Sequence, residues 1–228
     1  MIVLIGGEKG GSGKTTLATN LAAMRAAAGR DVLLVDTDIQ GSASYWAANR
    51  DEAGVSPRVP CVQKFGRNLA VEVRDLARRY DDLIIDAGGR DSAELRSALV
   101  VVERAFVPIQ ASQFDVWTLS RMDELVATAR GFNPDLAATV IVNRASPNPV
   151  VGEADEVRQV MADFSNLSLS SAQLRDRIAY RKAAKAGLGV VEMERADAKA
   201  ASEMRRLYRE VFHDAAETRP EVQAAGAA

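Results

Sequence analysis

The sequence predicts a single-domain α/β fold, a mostly parallel twisted sheet with helices on both faces. Short β-branched runs alternate with longer helical stretches, the pattern of strands joined by crossover helices. The runs Val-Leu-Leu-Val and Leu-Ile-Ile show no polar alternation, as expected of strands buried on both faces. No repeat and no Pro/Gly/Ser linker divides the 228 residues, so one core is expected over residues 1–213. Residues 214–228 have little to bury and are expected to form a disordered tail.

The elements follow in order. Ile2–Ile5 is the first strand, and Lys14–Ala28 is an Ala/Leu-rich helix stopped by Gly29, a residue suited to the left-handed position past a helix end. Val32–Asp36 is a second buried strand, and Val59–Val62 a short one that carries Cys61 as a small core hydrophobe. A helix at Leu69–Arg79 precedes the strand Leu83–Asp86, with Asp81 and Asp82 as solvated charges ahead of it. Helix Asp91–Val100, strand Ala105–Ile109, helix Phe114–Arg130 and strand Thr139–Asn143 come next. The last third reads as helix Gly152–Asp163, a short strand Leu167–Leu169, and helices Gln173–Ala186 and Arg195–His213.

Composition sets limits before any motif is considered. A net charge of −2 gives no whole-molecule attraction to nucleic acid or membrane, so such binding needs a local patch. One cysteine excludes an internal disulfide framework and an all-cysteine metal site within one chain. The opening apolar run Met1–Ile5 is too short for a secretory signal, and no run approaches the ~18 apolar residues of a membrane span. A cytoplasmic protein without membrane association is expected.

Glu8-Lys9-Gly10-Gly11-Ser12-Gly13-Lys14-Thr15-Thr16 follows a strand and opens a helix, the setting of a phosphate-binding P-loop. Glycines let successive N–H groups turn toward one anion, and the helix N-terminus adds partial positive charge. Lys14 is expected to reach the β- and γ-phosphates of ATP, and the Thr15 hydroxyl to ligate Mg²⁺. Asp36 and Asp38 follow the second strand, and Asp86 ends the next in the Walker B form, where a carboxylate holds a Mg²⁺-bound water. Gly88-Gly89 beyond it is a turn able to sense a γ-phosphate. On the residues alone, Asp36 and Asp38 could equally start a turn and cap a helix.

Glu8 stands where the usual loop has glycine, and a second lysine, Lys9, precedes the glycines. In K-G-G-S-G-K-T-T the chain closely resembles the ParA/MinD superfamily of deviant Walker A ATPases over about residues 1–145. The resemblance implies that Lys9 crosses a nucleotide-sandwich dimer to the partner's phosphates and that the loop residues 10–16 bind nucleotide. It further implies that Asp38 positions the attacking water, that Asp36 supports Mg²⁺, and that Asn143 faces adenine. Pro108 and Gln113-Phe114-Asp115 would lie near the nucleotide and dimer face. Ile39, Ser42 and Ala87-Gly88-Gly89 depart from the family's common D-x-D-P-Q-G-N and D-x-P forms, which puts the switch geometry in question.

Residues 172–213 hold ten Lys/Arg against six acids, and Arg195, Lys199, Arg205, Arg206 and Arg209 fall on one side of a helical wheel. A solvated face with pairs Lys199–Glu203 and Arg206–Glu210 is one reading. Sequence-independent contact with DNA phosphates is the other, and the resemblance favours it, with Arg181, Lys182, Lys199, Arg205 and Arg206 as candidates. The Asp36–Trp46 segment looks most like the short plasmid-partition ATPases that lack an N-terminal DNA-binding domain. The expected activity is therefore ATP-driven partitioning or positioning, with an ATP-bound homodimer, nonspecific DNA and a ParB-like adaptor that stimulates hydrolysis. A MinD-like membrane-cycling regulator and an ATP-dependent metabolic synthetase of the same superfamily remain as alternatives.

Overall fold

The computed structural model describes residues 1–110, 116–147 and 153–212. Its seven strands are β1 (Ile2–Ile5), β2 (Val32–Asp36), β3 (Cys61–Gln63), β4 (Asp82–Asp86), β5 (Arg104–Gln110), β6 (Ala137–Ala145) and β7 (Ser168–Arg175). They form one sheet in the order β3-β2-β4-β1-β5-β6-β7, parallel at every pairing. β2, β3 and β4 lie on one side of β1 and β5, β6 and β7 on the other, so a loop leaving β1 sits where the chain order changes side. Ligands of open α/β sheets gather at that point.

The helices are α1 (Lys14–Ala27), α2 (Ser42–Glu52), α3 (Leu69–Leu76), α4 (Ala93–Leu99), α5 (Val116–Arg130), α6 (Glu153–Met161), α7 (Ile178–Lys185) and α8 (Ala198–Phe212). Leu69, Leu95, Leu119 and Val157 of α3 to α6 pack into the core on one face of the sheet. Leu17, Trp46, Tyr180 and Leu207 of α1, α2, α7 and α8 pack into the core on the other. Helices cover both faces, as the sequence predicts. Gly29 ends α1 at φ 79°, the left-handed conformation expected of it.

Four expectations are corrected. Gln173–Arg175 belongs to β7, and α7 begins only at Ile178. Ala172 and Leu174 are buried with less buried neighbours between them, a period of two that a helix would break. α8 begins at Ala198 because Asp197 caps it, its Oδ1 accepting from Lys199 N at 3.0 Å and Ala200 N at 3.1 Å; Arg195 lies before the helix. Asp82 is buried at 1% exposure, not solvated: Arg25 Nε donates to it at 2.7 Å across the lower edge of the sheet. The sequence reading assigns no helix after β2, although capping one was an open reading of Asp36 and Asp38; α2 is there, carried by Ala43, Trp46, Ala47 and a fully buried Arg50. Arg50 reaches Glu192 from Nη2 at 2.7 Å and from Nη1 at 2.8 Å, and donates to the carbonyls of Pro57 and Gly187. An arginine that buries itself against a distant acid leaves no periodic apolar signal.

Candidate functional site

The segment between β1 and α1 is a glycine loop whose conformation its neighbours enforce. Gly11 and Gly13 have φ of 75° and 91°. A Cβ at Gly13 would lie 2.3 Å from Asn143 Nδ2, so no other residue fits there. Asn143, buried near the C-terminal end of β6, donates from that nitrogen to Ser12 O at 2.7 Å. Lys14 is buried, and its ammonium donates to Lys9 O at 2.7 Å, where Ser12 Oγ also donates at 3.3 Å. Burial pulls the Lys14 ammonium below its ordinary value, while Asp86 and Asp38 pull it back up. Gly10, Gly11 and Thr16 complete the loop and the first turn of α1.

Two acidic strand ends face this loop, Asp36 pairing in register with Asp86. Asp86 is buried at 1% exposure, and its Oδ2 accepts from Thr15 Oγ1 at 2.7 Å. Its Oδ1 has no hydrogen-bond partner among the described residues. An orphaned buried carboxylate oxygen beside a threonine hydroxyl fits a hard divalent cation such as Mg²⁺, which takes one or two protein oxygens and keeps waters. Asp36 differs. Its Oδ1 accepts from Asp38 N at 3.1 Å, and its Oδ2 accepts from Ser44 N at 2.9 Å and Ser44 Oγ at 2.8 Å. Both oxygens thus hold the turn and the start of α2, leaving Asp36 to act through its charge. Asp38 is half-buried, its Oδ1 accepting from Gln40 N at 3.0 Å, and it stands opposite Gly88, where a Cβ would lie 3.6 Å from the carboxylate.

The switch turn touches the loop itself. A Cβ at Gly89 would meet Gly10 Cα at 2.8 Å, Gly10 N at 2.9 Å and Lys14 Nζ at 3.2 Å. Glu8, in the position usually held by glycine, pairs with Arg121 of α5 at 2.9 Å, and Arg121 pairs with Asp91 at 3.1 Å. Burial raises the Glu8 carboxyl above its ordinary value, opposed by Arg121.

Beside Gly13, Thr16 and Asn143 lies a cavity of about 280 Å³ that also takes in Arg144, Asp176 and Tyr180. Its size and its place at the start of α1 suit a nucleoside next to phosphates held by the loop. The sequence reading missed Arg144, Asp176 and Tyr180 because they come from the end of β6, the turn after β7 and the first turn of α7, whose proximity only the register of β6 with β7 reveals. Arg181 lies on the rim of this cavity, 3.4 Å from Asp176, while Lys182 is exposed on α7. Lys199, Arg205 and Arg206 are exposed together on α8. The anticipated Lys199–Glu203 and Arg206–Glu210 pairs do not form. Glu203 instead takes Arg177 at 2.7 Å and Arg175 at 3.3 Å, and Glu210 accepts from Ser171 Oγ at 2.9 Å. Gln113-Phe114-Asp115 and the expected tail 214–228 fall outside the described residues; Pro108 lies within β5, opposite Ile141.

A glycine loop at the end of the central strand, with a buried lysine and a carboxylate held by the loop threonine, defines a P-loop nucleotide-binding protein. The chain belongs to the CobQ/CobB/MinD/ParA nucleotide binding domain family, whose description matches residues 3–202. It is 26% identical over 205 residues to the maintenance of carboxysome distribution protein A of Halothiobacillus neapolitanus, covering 90% of this chain and 93% of that one. Among solved structures, an aspartate-to-alanine variant of Cyanothece McdA in complex with ATP superposes with a TM-score of 0.72 at 16% identity, covering 93% and 96%. MinD of Pyrococcus horikoshii OT3, complexed with Mg-ADP, gives 0.69 at 20% identity, covering 92% and 95%. ATP with Mg²⁺, the cofactors expected from the sequence, agrees with the ligands of these neighbours.

Burial pushes the Asp86 carboxyl up from its ordinary 3.8 to about 7, with nearby Asp36 adding to the rise and the Thr15 hydrogen bond opposing it. The folded state then holds a proton that the unfolded chain releases between about pH 4 and 7. Ligand-free stability should fall as pH rises through that window, by about 1.4 kcal/mol per unit of separation. Urea unfolding at pH 5 and pH 7.5 without nucleotide or Mg²⁺ should show the loss in the wild type and a smaller one in Asp86→Asn. Equal losses in the two would contradict the assignment.

Proposed function

We propose that this chain is a ParA-type positioning ATPase that binds ATP with Mg²⁺, closes into a nucleotide-sandwich dimer and binds DNA without sequence preference. A ParB-like or other cargo adaptor would stimulate hydrolysis and release the dimer. The observation that carries this reading is Lys9. Within one subunit Lys14, Thr15 and the loop amides already supply what a triphosphate needs. A second lysine at the loop entrance makes physical sense opposite another subunit's nucleotide, where two triphosphates would otherwise repel.

Each residue then has a task in the cycle. Lys14 neutralises the β- and γ-phosphates, and the loop N–H groups fix their position. Thr15 and the unpartnered oxygen of Asp86 would hold Mg²⁺, which would offset negative charge on the phosphates. Asp36 holds Asp38 in place through its backbone N–H. Asp38, across from Gly88, orients the attacking water, a role that acts on the transition state more than on the ground state. Gly88 and Gly89, in contact with Asp38 and the loop, are positioned to register the γ-phosphate.

Two features of α8 support DNA over lipid as the surface bound. Its two carboxylates turn inward to β7, which leaves Lys199, Arg205 and Arg206 exposed and, among the described residues, without an ion pair along the helix. Its apolar side, Met204, Leu207 and Val211, is completely buried. Lifting it into a bilayer would empty the core of these side chains and leave a cavity among their partners. That argues against α8 as a MinD-like membrane helix, and no helix among the described residues is long and apolar enough to cross a membrane. A metabolic synthetase of the same family would not need Lys9.

Lys9→Ala should leave ATP binding by the monomer largely intact while removing ATP-dependent dimerisation and turnover together. Sedimentation with a slowly hydrolysed ATP analogue checks this, and a variant that dimerises and hydrolyses as the wild type does would overturn the reading. Replacing Lys199, Arg205 and Arg206 with glutamate should weaken binding to random duplex and leave ATP affinity unchanged. The log–log salt dependence of DNA binding should flatten by about 0.9 for each phosphate that the variant no longer neutralises. An unchanged salt slope would make the stripe a solvated face.

A further inference from the structure

Arg144 is the one non-glycine among the described residues with a positive φ, 54°. This left-handed conformation crowds a side chain's Cβ against the following carbonyl, and residues held in it gather at functional sites. The kink falls between Asn143 and Ala145, where the pairing of β6 with β7 loses its regular register. It aims the arginine away from the sheet and over the glycine loop. There Arg144 Nη1 donates to Gly11 O at 2.7 Å, and the side chain forms part of the cavity beside Gly13 and Thr16.

The other arginines of that cavity already face carboxylates. Glu203 takes both Arg175 and Arg177, and Asp176 takes Arg181. Arg144 donates to a neutral carbonyl and has no ion pair among the described residues, so its charge stays uncompensated there at the mouth of the site. A guanidinium presents five N–H donors in a planar fork, and one bond to Gly11 O leaves the others to offer. We infer that Arg144 is a further ligand of the nucleotide's phosphate chain, holding the loop by Gly11 O with one edge and an anionic phosphate oxygen with the other. This rests on the nucleotide reading above and adds to it a cation contributed by β6, outside the loop motif.

Titration calorimetry with Mg-ATP on three full-length variants tests it. Arg144→Gly suits the left-handed backbone, so it should melt no lower than the wild type without nucleotide, while its Kd for ATP rises about tenfold or more. Arg144→Lys keeps the charge on a long stem and should recover part of that loss, whereas Arg144→Gln should not. The inference is overturned if Arg144→Gly binds ATP as the wild type does, or if Arg144→Lys binds no better than Arg144→Gln. Should Arg144→Gly melt lower, the lysine and glutamine variants decide alone, by the same comparison. Failure of the wild type itself to bind ATP would remove the nucleotide reading and the role of Arg144 with it, whereas the variant comparisons above remove the role of Arg144 alone.

Discussion

A carboxyl group taken wholly out of water destabilises a fold unless its oxygens are satisfied, and Asp86 has only one of them satisfied, by Thr15. Everything around the site is arranged about that side chain. β4 delivers it to the carboxyl edge of the sheet one strand from β1, so that the first turn of α1 must meet it. Asp36 sits beside it in register and raises its proton affinity further. Lys14, itself buried, supplies a positive charge that draws the Asp86 carboxylate back toward ionisation. Two desolvated groups of opposite sign, one with an unpartnered oxygen, are costly alone and are relieved together by a phosphate chain and a divalent cation.

The same logic of opposed faces explains the C-terminal part. α8 spends its carboxylates and its apolar side on β7 and the core, and keeps lysine and arginine for solvent. Glu203 grips the turn that walls the cavity beside Gly13, and Tyr180 of the same wall donates to Ala200 O at 3.1 Å. The basic face of α8 and the cavity beside Gly13 are thus joined by direct contacts through Glu203 and Tyr180.

The fold was legible because its strands are continuous apolar runs: Ile2–Ile5 and Leu83–Asp86 could be read within a residue of their observed limits. The loop was legible because glycine, lysine and threonine are needed at fixed spacing there, and Gly13 against Asn143 shows the steric reason. Local reading failed where distant partners decide. Gln173–Arg175 has fair helix-forming residues, but the pairing with β6 and the pull of Glu203 make it strand. Asp82 reads as a solvated charge until Arg25, 57 residues away, is brought to it. Arg144 and Asp176 carry no motif of their own, and only the adjacency of β6 and β7 makes them neighbours of the loop.

The central claim is that the loop of Lys9–Thr16 binds the phosphates of ATP. Calorimetric titration of Lys14→Gln with Mg-ATP, alongside the wild type, tests it most directly. The substitution keeps a polar side chain and a hydrogen-bond donor, one atom shorter, while removing the buried charge, so the fold should persist and ATP binding should be lost. A correctly folded Lys14→Gln that binds ATP with wild-type affinity would contradict the account.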